Sequence, residues 1–216
     1  MNPGEVTSRA PSEPTVNGGL LELFPAAGKP ISRIYEPQEQ CAVLGAAGDP
    51  SADLYLEALA ADGVPWRRRR GGGGTVVLTP GQVVLACVTT VESPFRNKEY
   101  ANQINSWFVE ALGRLGVRDV QPRGISDLAI REKKILGTSI YRTRLVLFYQ
   151  ASLLVSNDLS VFTRYLAMPA RVPEYRAGRS HEDFCTTLAR EGYSLSVADV
   201  MAVLKEVVDA RLPALA

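Results

Sequence analysis

An arginine–glycine tract limits the possible folds of this chain more than any other segment: four arginines at 67–70 run directly into four glycines at 71–74. β-like residues flank the tract at 64–66 and 75–78, so the sequence predicts a strand, a glycine loop and a second strand. Glycine lets the backbone approach a ligand closely, and arginine offers paired donors to an oxyanion. The tract therefore predicts a local site for a phosphate or a carboxylate. A flexible basic surface loop is the alternative interpretation.

Two common nucleotide-binding motifs are excluded by this tract. A Walker loop requires Gly-Lys-Ser or Gly-Lys-Thr, which the tract lacks. A Rossmann fingerprint requires glycines that open a helix, whereas these glycines lead into residues typical of a strand.

Hydrophobic periodicity along the chain predicts an α+β fold, with a mixed, largely antiparallel β-sheet flanked by helices. Ile31–Tyr35 and Cys41–Leu44 are predicted to form a hairpin around a polar turn at 37–39. Further strands are predicted at 75–78, 83–90, 127–130, 135–141 and 145–154. Helices are predicted at 52–61, 97–115, 159–166, 181–191 and 196–210. Ser51 and Ser196 are the predicted N-caps of the first and the last of these helices.

A second segment that carries chemistry runs from 124 to 142. Lys134 is followed on the same predicted strand by Gly137, Thr138 and Ser139. This spacing can place an ammonium beside a phosphate, with small residues where a ligand must fit. An ordinary charged hairpin is the alternative.

Composition narrows the classes of function. The chain has 216 residues, of which 46% are hydrophobic, and a formal net charge of +1, so nothing global indicates binding to nucleic acid or to a membrane surface. No apolar run approaches the roughly 20 residues that span a bilayer. Cys41, Cys87 and Cys185 form no CxxC pair, which favours a reducing cytoplasm. Residues 1–19 are predicted to be a disordered tail, and residues 20–216 a single domain.

Taken in order along the chain, these segments resemble the lipoate-protein ligases, which share a superfamily with biotin-protein ligases and octanoyltransferases. Residues 68–76 resemble the family's Arg-Arg-x-x-Gly-Gly-Gly-Ala-Val loop, and Gly81-Gln82 its downstream Gly-Asn. Residues 124–128 resemble its Gly-x-Asn-Asp-Leu strand, and residues 134–142 its Lys-x-x-Gly-x-Ser/Ala-x-Tyr-Arg strand. Two further segments, 43–45 and 175–188, also resemble the family and occur in its order.

The resemblance implies a reaction in two steps. Lipoate and Mg-ATP give lipoyl-AMP and pyrophosphate, and a lysine of an acceptor protein then attacks the mixed anhydride. ATP, Mg²⁺ and lipoate are thus implied, together with a lipoyl-acceptor domain, either of an E2 subunit or of the glycine-cleavage H protein. The chain is expected to lack the accessory C-terminal domain of many two-step ligases, so a separate accessory subunit for adenylation is a further expectation.

The resemblance also implies roles for individual residues. Lys134 is expected to contact the α-phosphate and the acyl carbonyl. Asp127 is expected to lie near the Mg²⁺ ion, as a ligand, or near the incoming lysine. The residues expected to bind the substrate and the adenylate are Arg68, Arg69, Arg70, Gly72, Gly73, Gly74, Thr75, Gly137, Thr138 and Ser139.

Several positions depart from the family pattern. Leu78-Thr79 stands where the family usually has His-Asp, and Tyr-Gln-Ala-Ser at 149–152 stands where it often has a histidine pair before Gly-Thr. The family's first helix has no predicted counterpart in residues 1–30. One alternative function is an octanoyl or lipoyl transferase that uses a cysteine thiolate, with Cys185 as the candidate. Another is a non-catalytic relative that binds a lipoylated or biotinylated protein, or a nucleotide, without turnover.

Overall fold

The structure is a computed structural model that describes residue 17, residues 19–169 and residues 172–215. Apart from residues 17 and 19, the predicted tail lies outside the described residues. The strands are β1 (Ile31–Tyr35), β2 (Cys41–Leu44), β3 (Trp66–Arg68), β4 (Val76–Leu78), β5 (Gln82–Thr90), β6 (Val120–Arg123), β7 (Asp127–Ile130), β8 (Lys133–Thr143) and β9 (Val146–Leu154). The α-helices are α1 (Leu20–Ala27), α2 (Pro50–Asp53), α3 (Leu56–Ala61), α4 (Asn97–Arg114), α5 (Ser160–Tyr165), α6 (His181–Phe184) and α7 (Val197–Arg211).

Two sheets form the framework of the domain. The large sheet has the strand order β1-β5-β9-β8-β7-β6, and each neighbouring pair is antiparallel. The small sheet has the order β3-β2-β4, in which β2 is parallel to β3 and antiparallel to β4. The predicted α+β class, with a mixed and largely antiparallel arrangement of strands, is therefore confirmed.

The predicted hairpin between Ile31–Tyr35 and Cys41–Leu44 is wrong, although both strands exist. β1 pairs with β5 in the large sheet, whereas β2 is the central strand of the small sheet. Three consecutive residues of β2 are buried, because one side of the strand packs on the large sheet and the other on helices α3 and α5. In an edge hairpin with one solvent-exposed face, successive residues of each strand would instead alternate between buried and exposed positions.

Helices α4 and α7 cover one face of the large sheet. The apolar residues of α4 recur at helical spacing and contact both the sheet and α7. Ser196 caps α7 as predicted, since its hydroxyl accepts a hydrogen bond from the backbone N–H of Asp199. This layer contains the largest hydrophobic cluster of the described residues.

Helix α1 covers the opposite face, just before β1, where the sequence predicted no helix. Leu20 packs in a cluster with Ala86, Val88 and Phe148, and Phe24 packs against that cluster. The helix has only eight residues, contains Pro25 and lacks a side-chain N-cap, so local signals for it are weak. Packing against the sheet stabilises it instead.

Two other predicted helices are interrupted. The segment 52–61 forms α2 and α3, separated by the extended Leu54, which bridges to Leu166, and Asp49 rather than Ser51 caps α2. The predicted helix 181–191 ends at Phe184, because Cys185 is extended and forms a parallel bridge with Lys134. The next residue, Thr186, donates its N–H to Lys134 O at 2.9 Å. Backbone pairing with β8 thus replaces the second half of this helix.

Candidate functional site

The glycine loop is shaped by the buried side chain of Arg69, which is 7% exposed. Its Nη2 donates to the carbonyl oxygens of Gly72 at 2.8 Å and Gly74 at 2.7 Å, and its Nη1 to that of Val43 at 3.2 Å. Its Nε donates to Ser139 Oγ at 2.9 Å, and this hydroxyl donates in turn to Gly72 O at 2.9 Å. Through these hydrogen bonds, Arg69 ties the loop to β2 and β8.

Small residues let the loop lie directly on β8 and on the turn after β2. A Cβ at Gly71 would lie 2.1 Å from Ser139 Oγ, and a Cβ at Gly45 would lie 2.1 Å from Gly73 O. Gly73 also has φ +93°, which L side chains rarely adopt. The three segments around 43–45, 71–74 and 137–139 therefore meet at one place, and a methyl group at either contact would separate them.

The neighbouring arginines bind other parts of the chain. Arg68 Nη1 contacts the carbonyl oxygens of Gly45, Ala46 and Gly48, at 3.2, 3.1 and 2.6 Å, and so holds the turn that follows β2. Arg70 lies on the rim, where it pairs with Glu22 of α1 at 3.2 Å and lies over the ring of Tyr141.

Thr75, at the end of the loop, donates a hydrogen bond to Asp53 Oδ2 at 3.2 Å. Asp53 is the last residue of α2. The predicted binding residues of the tract thus lie together, and Arg68, Arg69 and Thr75 contribute to its architecture.

The second half of the site is an ion pair between β7 and β8. Lys134 Nζ lies 2.7 Å from Asp127 Oδ1, and the side chains are 27% and 15% exposed. Gly137 provides the space for this lysine, since a Cβ there would lie 2.9 Å from Lys134 Cε and Nζ. Thr138 Oγ1 donates to Ser126 Oγ at 2.6 Å and so holds the turn before Asp127.

Strand β8 joins the two halves. Ser139 contacts Arg69 and the glycine loop, whereas Gly137, two residues earlier, lies against Lys134. Alternate residues of a strand face the same side, so this strand presents both contacts together. The structure thus brings the residues predicted from the two sequence segments together on β8, which contacts the Lys134 ammonium at Gly137 and the glycine loop at Ser139.

Two groups of residues in this site were not predicted. Tyr175 Oη donates to Asp127 Oδ2 at 2.8 Å. Below the site, Tyr149 Oη donates to Asn105 Oδ1 at 2.5 Å, and Asn105 Nδ2 donates to Ser126 O at 3.0 Å. A polar Asn105 on the apolar face of α4 is the one signal in the sequence that could have indicated the buried network. Nothing in the sequence pattern relates Tyr175 to Asp127, which are 48 positions apart.

Cys87 and Cys185 are buried thiols, and Cys41 is half-buried. Cys185 is 9% exposed, and burial raises its pKa although Lys134 and Arg176 act in the opposite direction. Burial also raises the pKa of Cys41, and that of Cys87 to about 12. Because the thiolate is the nucleophile in thioester chemistry, these environments disfavour a cysteine-dependent transferase.

A resident magnesium ion does not fit the donors around Asp127. Both of its carboxylate oxygens already accept contacts, one from the Lys134 ammonium and one from the Tyr175 hydroxyl. Among the described residues, no group of three or more His, Cys, Asp or Glu side chains could hold a metal ion. Direct coordination by Asp127 would require one of its present partners to leave.

Comparisons with known proteins identify the family of this chain. Residues 20–209 match the family described as the lipoyl protein ligase A/B catalytic domain, and the chain belongs to this family. No curated protein sequence matches the chain. In the described part of the chain, no helix is both long enough and apolar enough to cross a membrane.

Three solved structures show the same fold. The chain is similar to a bipartite lipoate protein ligase of Thermoplasma acidophilum, from a study that includes its E2 lipoyl domain, with a TM-score of 0.73 and 22% identity over 85% of this chain and 71% of that one. It is also similar to protein Ta0514 of the same organism with bound lipoic acid, with a TM-score of 0.70 and 20% identity over 85% and 73%. A lipoate-protein ligase A bound with ATP gives a TM-score of 0.71 and 21% identity over 85% and 73%.

Proposed function

We propose that this protein activates lipoate with ATP to form lipoyl-AMP and transfers the lipoyl group to a lysine of an acceptor protein. The observation that carries the proposal is the Lys134 ammonium, which pairs with Asp127 and lies against Gly137 of β8, two residues before Ser139, which contacts the glycine loop. Relatives of the same fold contain lipoic acid in one case and ATP in another, and these are the two substrates that the reaction joins.

The chemistry requires charge stabilisation rather than a side-chain nucleophile. In the first step, a lipoate carboxylate oxygen attacks the α-phosphorus, and the bond to pyrophosphate breaks. In the second step, the acceptor amine attacks the acyl carbonyl, AMP leaves, and the amine loses a proton. Lys134 would stabilise negative charge on the phosphoryl and carbonyl oxygens, while backbone N–H groups of the loop bind the adenylate.

The remaining predicted residues have supporting roles in this proposal. Arg69 and Ser139 fix the shape of the loop, and Gly72, Gly73 and Gly74 let the adenylate approach its backbone. Arg68, Arg70 and Thr75 anchor the loop to its surroundings. Mg²⁺ is proposed to enter with the phosphates of ATP, whose charge it neutralises.

The acceptor is proposed to be a lipoyl domain, of an E2 subunit or of the glycine-cleavage H protein. A similar structure comes from a bipartite ligase studied with an E2 lipoyl domain, which supports both this acceptor and a separate accessory subunit for adenylation. The three unpaired thiols support a reducing, cytoplasmic location.

The test is lipoylation of a purified lipoyl domain, with lipoate and Mg-ATP in one reaction and lipoyl-AMP in another. The wild type is compared with Lys134→Ala and with Lys205→Ala, which removes a lysine paired with Asp209 on the remote helix α7. We expect transfer by the wild type and Lys205→Ala, and at least a hundredfold loss in Lys134→Ala.

The two donors separate the possible outcomes. Transfer from lipoate and ATP would establish a complete ligase. Transfer from lipoyl-AMP alone would indicate that adenylation needs the accessory subunit. If neither donor supports transfer while nucleotide still binds, the ligase proposal is wrong and a non-catalytic binding protein remains.

A further inference from the structure

The hydroxyl of Tyr175 contacts the site but has no role in the chemistry proposed above. It donates to Asp127 Oδ2 at 2.8 Å, while Lys134 Nζ lies 2.7 Å from Asp127 Oδ1. The carboxylate is therefore held between a phenol and an ammonium. We propose that Tyr175 is a positioning residue, which fixes Asp127 so that Asp127 fixes Lys134. The inference rests on the proposed function, in which Lys134 contacts the reacting groups.

Tyr175 is itself held on three sides. Its ring centroid lies 5.0 Å from that of Phe184, and its carbonyl oxygen accepts a hydrogen bond from Arg179 Nη2 at 2.6 Å. On the third side, Tyr175 Cε1 lies 3.2 Å from the point that a Cβ at Gly124 would occupy. Gly124 has φ +58°, so both its conformation and its lack of a side chain suit this contact. The phenol is thus aimed at Asp127 by packing.

Burial and the charge of Asp127 keep the phenol protonated, so it remains a hydrogen-bond donor. Burial, and next the charge of Asp127, raise the pKa of Tyr175 above its usual value, while Arg179 acts in the opposite direction. Other ionisable groups that face Tyr175 are Cys185, Arg123 and Arg176, and Lys134 faces Asp127. A protonated phenol can only donate to the carboxylate, so it orients Asp127 without competing for Lys134.

Positioning matters here because the lysine stem is long. Lys134 carries its charge on four flexible methylene groups, and Asp127 is the acid that pairs with it. If Asp127 can rotate, the ammonium can follow it away from the glycine loop. Displacements of about 1 Å are enough to reduce catalytic rates strongly.

The test compares Tyr175→Phe with Tyr165→Phe, a matched control outside the site. Tyr165 Oη also donates to a carboxylate, Asp62 Oδ2, at 2.8 Å, and Asp62 also pairs with a cation, Arg164. Each variant is made alone, and Tyr175→Phe is also combined with Asp127→Asn. The measurements are the affinity for a lipoyl-sulfamoyl-adenosine analogue, the kcat and KM of transfer from lipoyl-AMP, and Tm.

We expect Tyr175→Phe to weaken analogue binding and to lower kcat roughly tenfold, with little change in the KM for the acceptor. In the Asp127→Asn background the same change should have less than about a twofold effect, because the hydroxyl acts through the carboxylate. Tyr165→Phe should change neither affinity nor kcat.

Two results would overturn the inference: wild-type affinity and kcat in Tyr175→Phe, or an equal loss with and without Asp127→Asn. If the wild type neither binds the analogue nor transfers lipoate, the proposed function fails separately. In that case, crystal structures of the wild type and of Tyr175→Phe would test the positioning role independently of activity. A displaced Asp127–Lys134 pair supports the positioning role, and an unchanged pair contradicts it.

Discussion

Replacing Gly137 with alanine is expected to disable the lysine site while the domain stays folded. The new methyl group would lie 2.9 Å from Lys134 Cε and Nζ and 4.0 Å from Asp127 Oδ1. Only the far end of a flexible side chain has to move, and Gly137 does not have a positive φ. The lysine, rather than the backbone of β8, should therefore yield.

The size of the effect follows from this displacement. An ordinary contact of at least 3.4 Å requires the lysine end to move by about half an ångström or more, away from both Gly137 and its present position against Asp127. Misplacement of a catalytic group by about 1 Å costs on the order of a hundredfold in rate. A displacement of about half that size should lower kcat/KM by roughly tenfold or more, or about 1.4 kcal/mol in activation free energy. The ion pair is partly exposed, so the free energy of unfolding should fall by no more than about 1 kcal/mol.

The assay is kcat/KM for transfer from lipoyl-AMP, with denaturant unfolding of the same preparations. Gly113→Ala is the matched control, because Gly113 lies in helix α4 and a Cβ there meets nothing within 4 Å. This control should retain activity and gain up to about 1 kcal/mol in stability. The reasoning is refuted if Gly137→Ala transfers lipoate at the wild-type rate, or if its activity falls only in proportion to lost folded protein.

Two further substitutions test other parts of the site. Arg69→Met should lower the free energy of unfolding by about 3 kcal/mol, because it leaves several buried hydrogen-bond acceptors without their donor. The control Arg118→Met replaces an exposed arginine and should change the free energy of unfolding by less than about 0.5 kcal/mol. Denaturant unfolding measures both variants, and equal stabilities would contradict the structural role of Arg69. Cys185→Ala should keep the rate of lipoyl transfer within about twofold of wild type, since the thiol is buried and its pKa is raised. Complete loss of transfer in a folded variant would instead favour a thioester intermediate.

The sequence was most informative where a long element has a regular apolar pattern. Helix α4 was predicted at 97–115 and extends from Asn97 to Arg114, because its buried residues repeat at helical spacing. The assignment of β1 and β2 to one hairpin was wrong, because the choice of partner strand depends on contacts distant in the chain. The helix predicted at 181–191 failed for the same reason, since pairing of Cys185 with Lys134 outweighed local helix propensity.

The candidate site shows the same limit at the level of single side chains. The sequence placed Lys134, Gly137 and Ser139 on one strand, and that local relation is what the structure uses to join the two halves of the site. It could not show that Arg69 donates hydrogen bonds to the chain itself, because the acceptors include the backbone carbonyls of Val43, Gly72 and Gly74, which have no sequence signature. A consequence is that Arg69 would influence anion binding through the shape of the loop, whereas Lys134 would supply the charge. Loss of Arg69 should therefore reduce stability and ligand affinity together, and loss of Lys134 should reduce affinity and rate in a domain that remains folded.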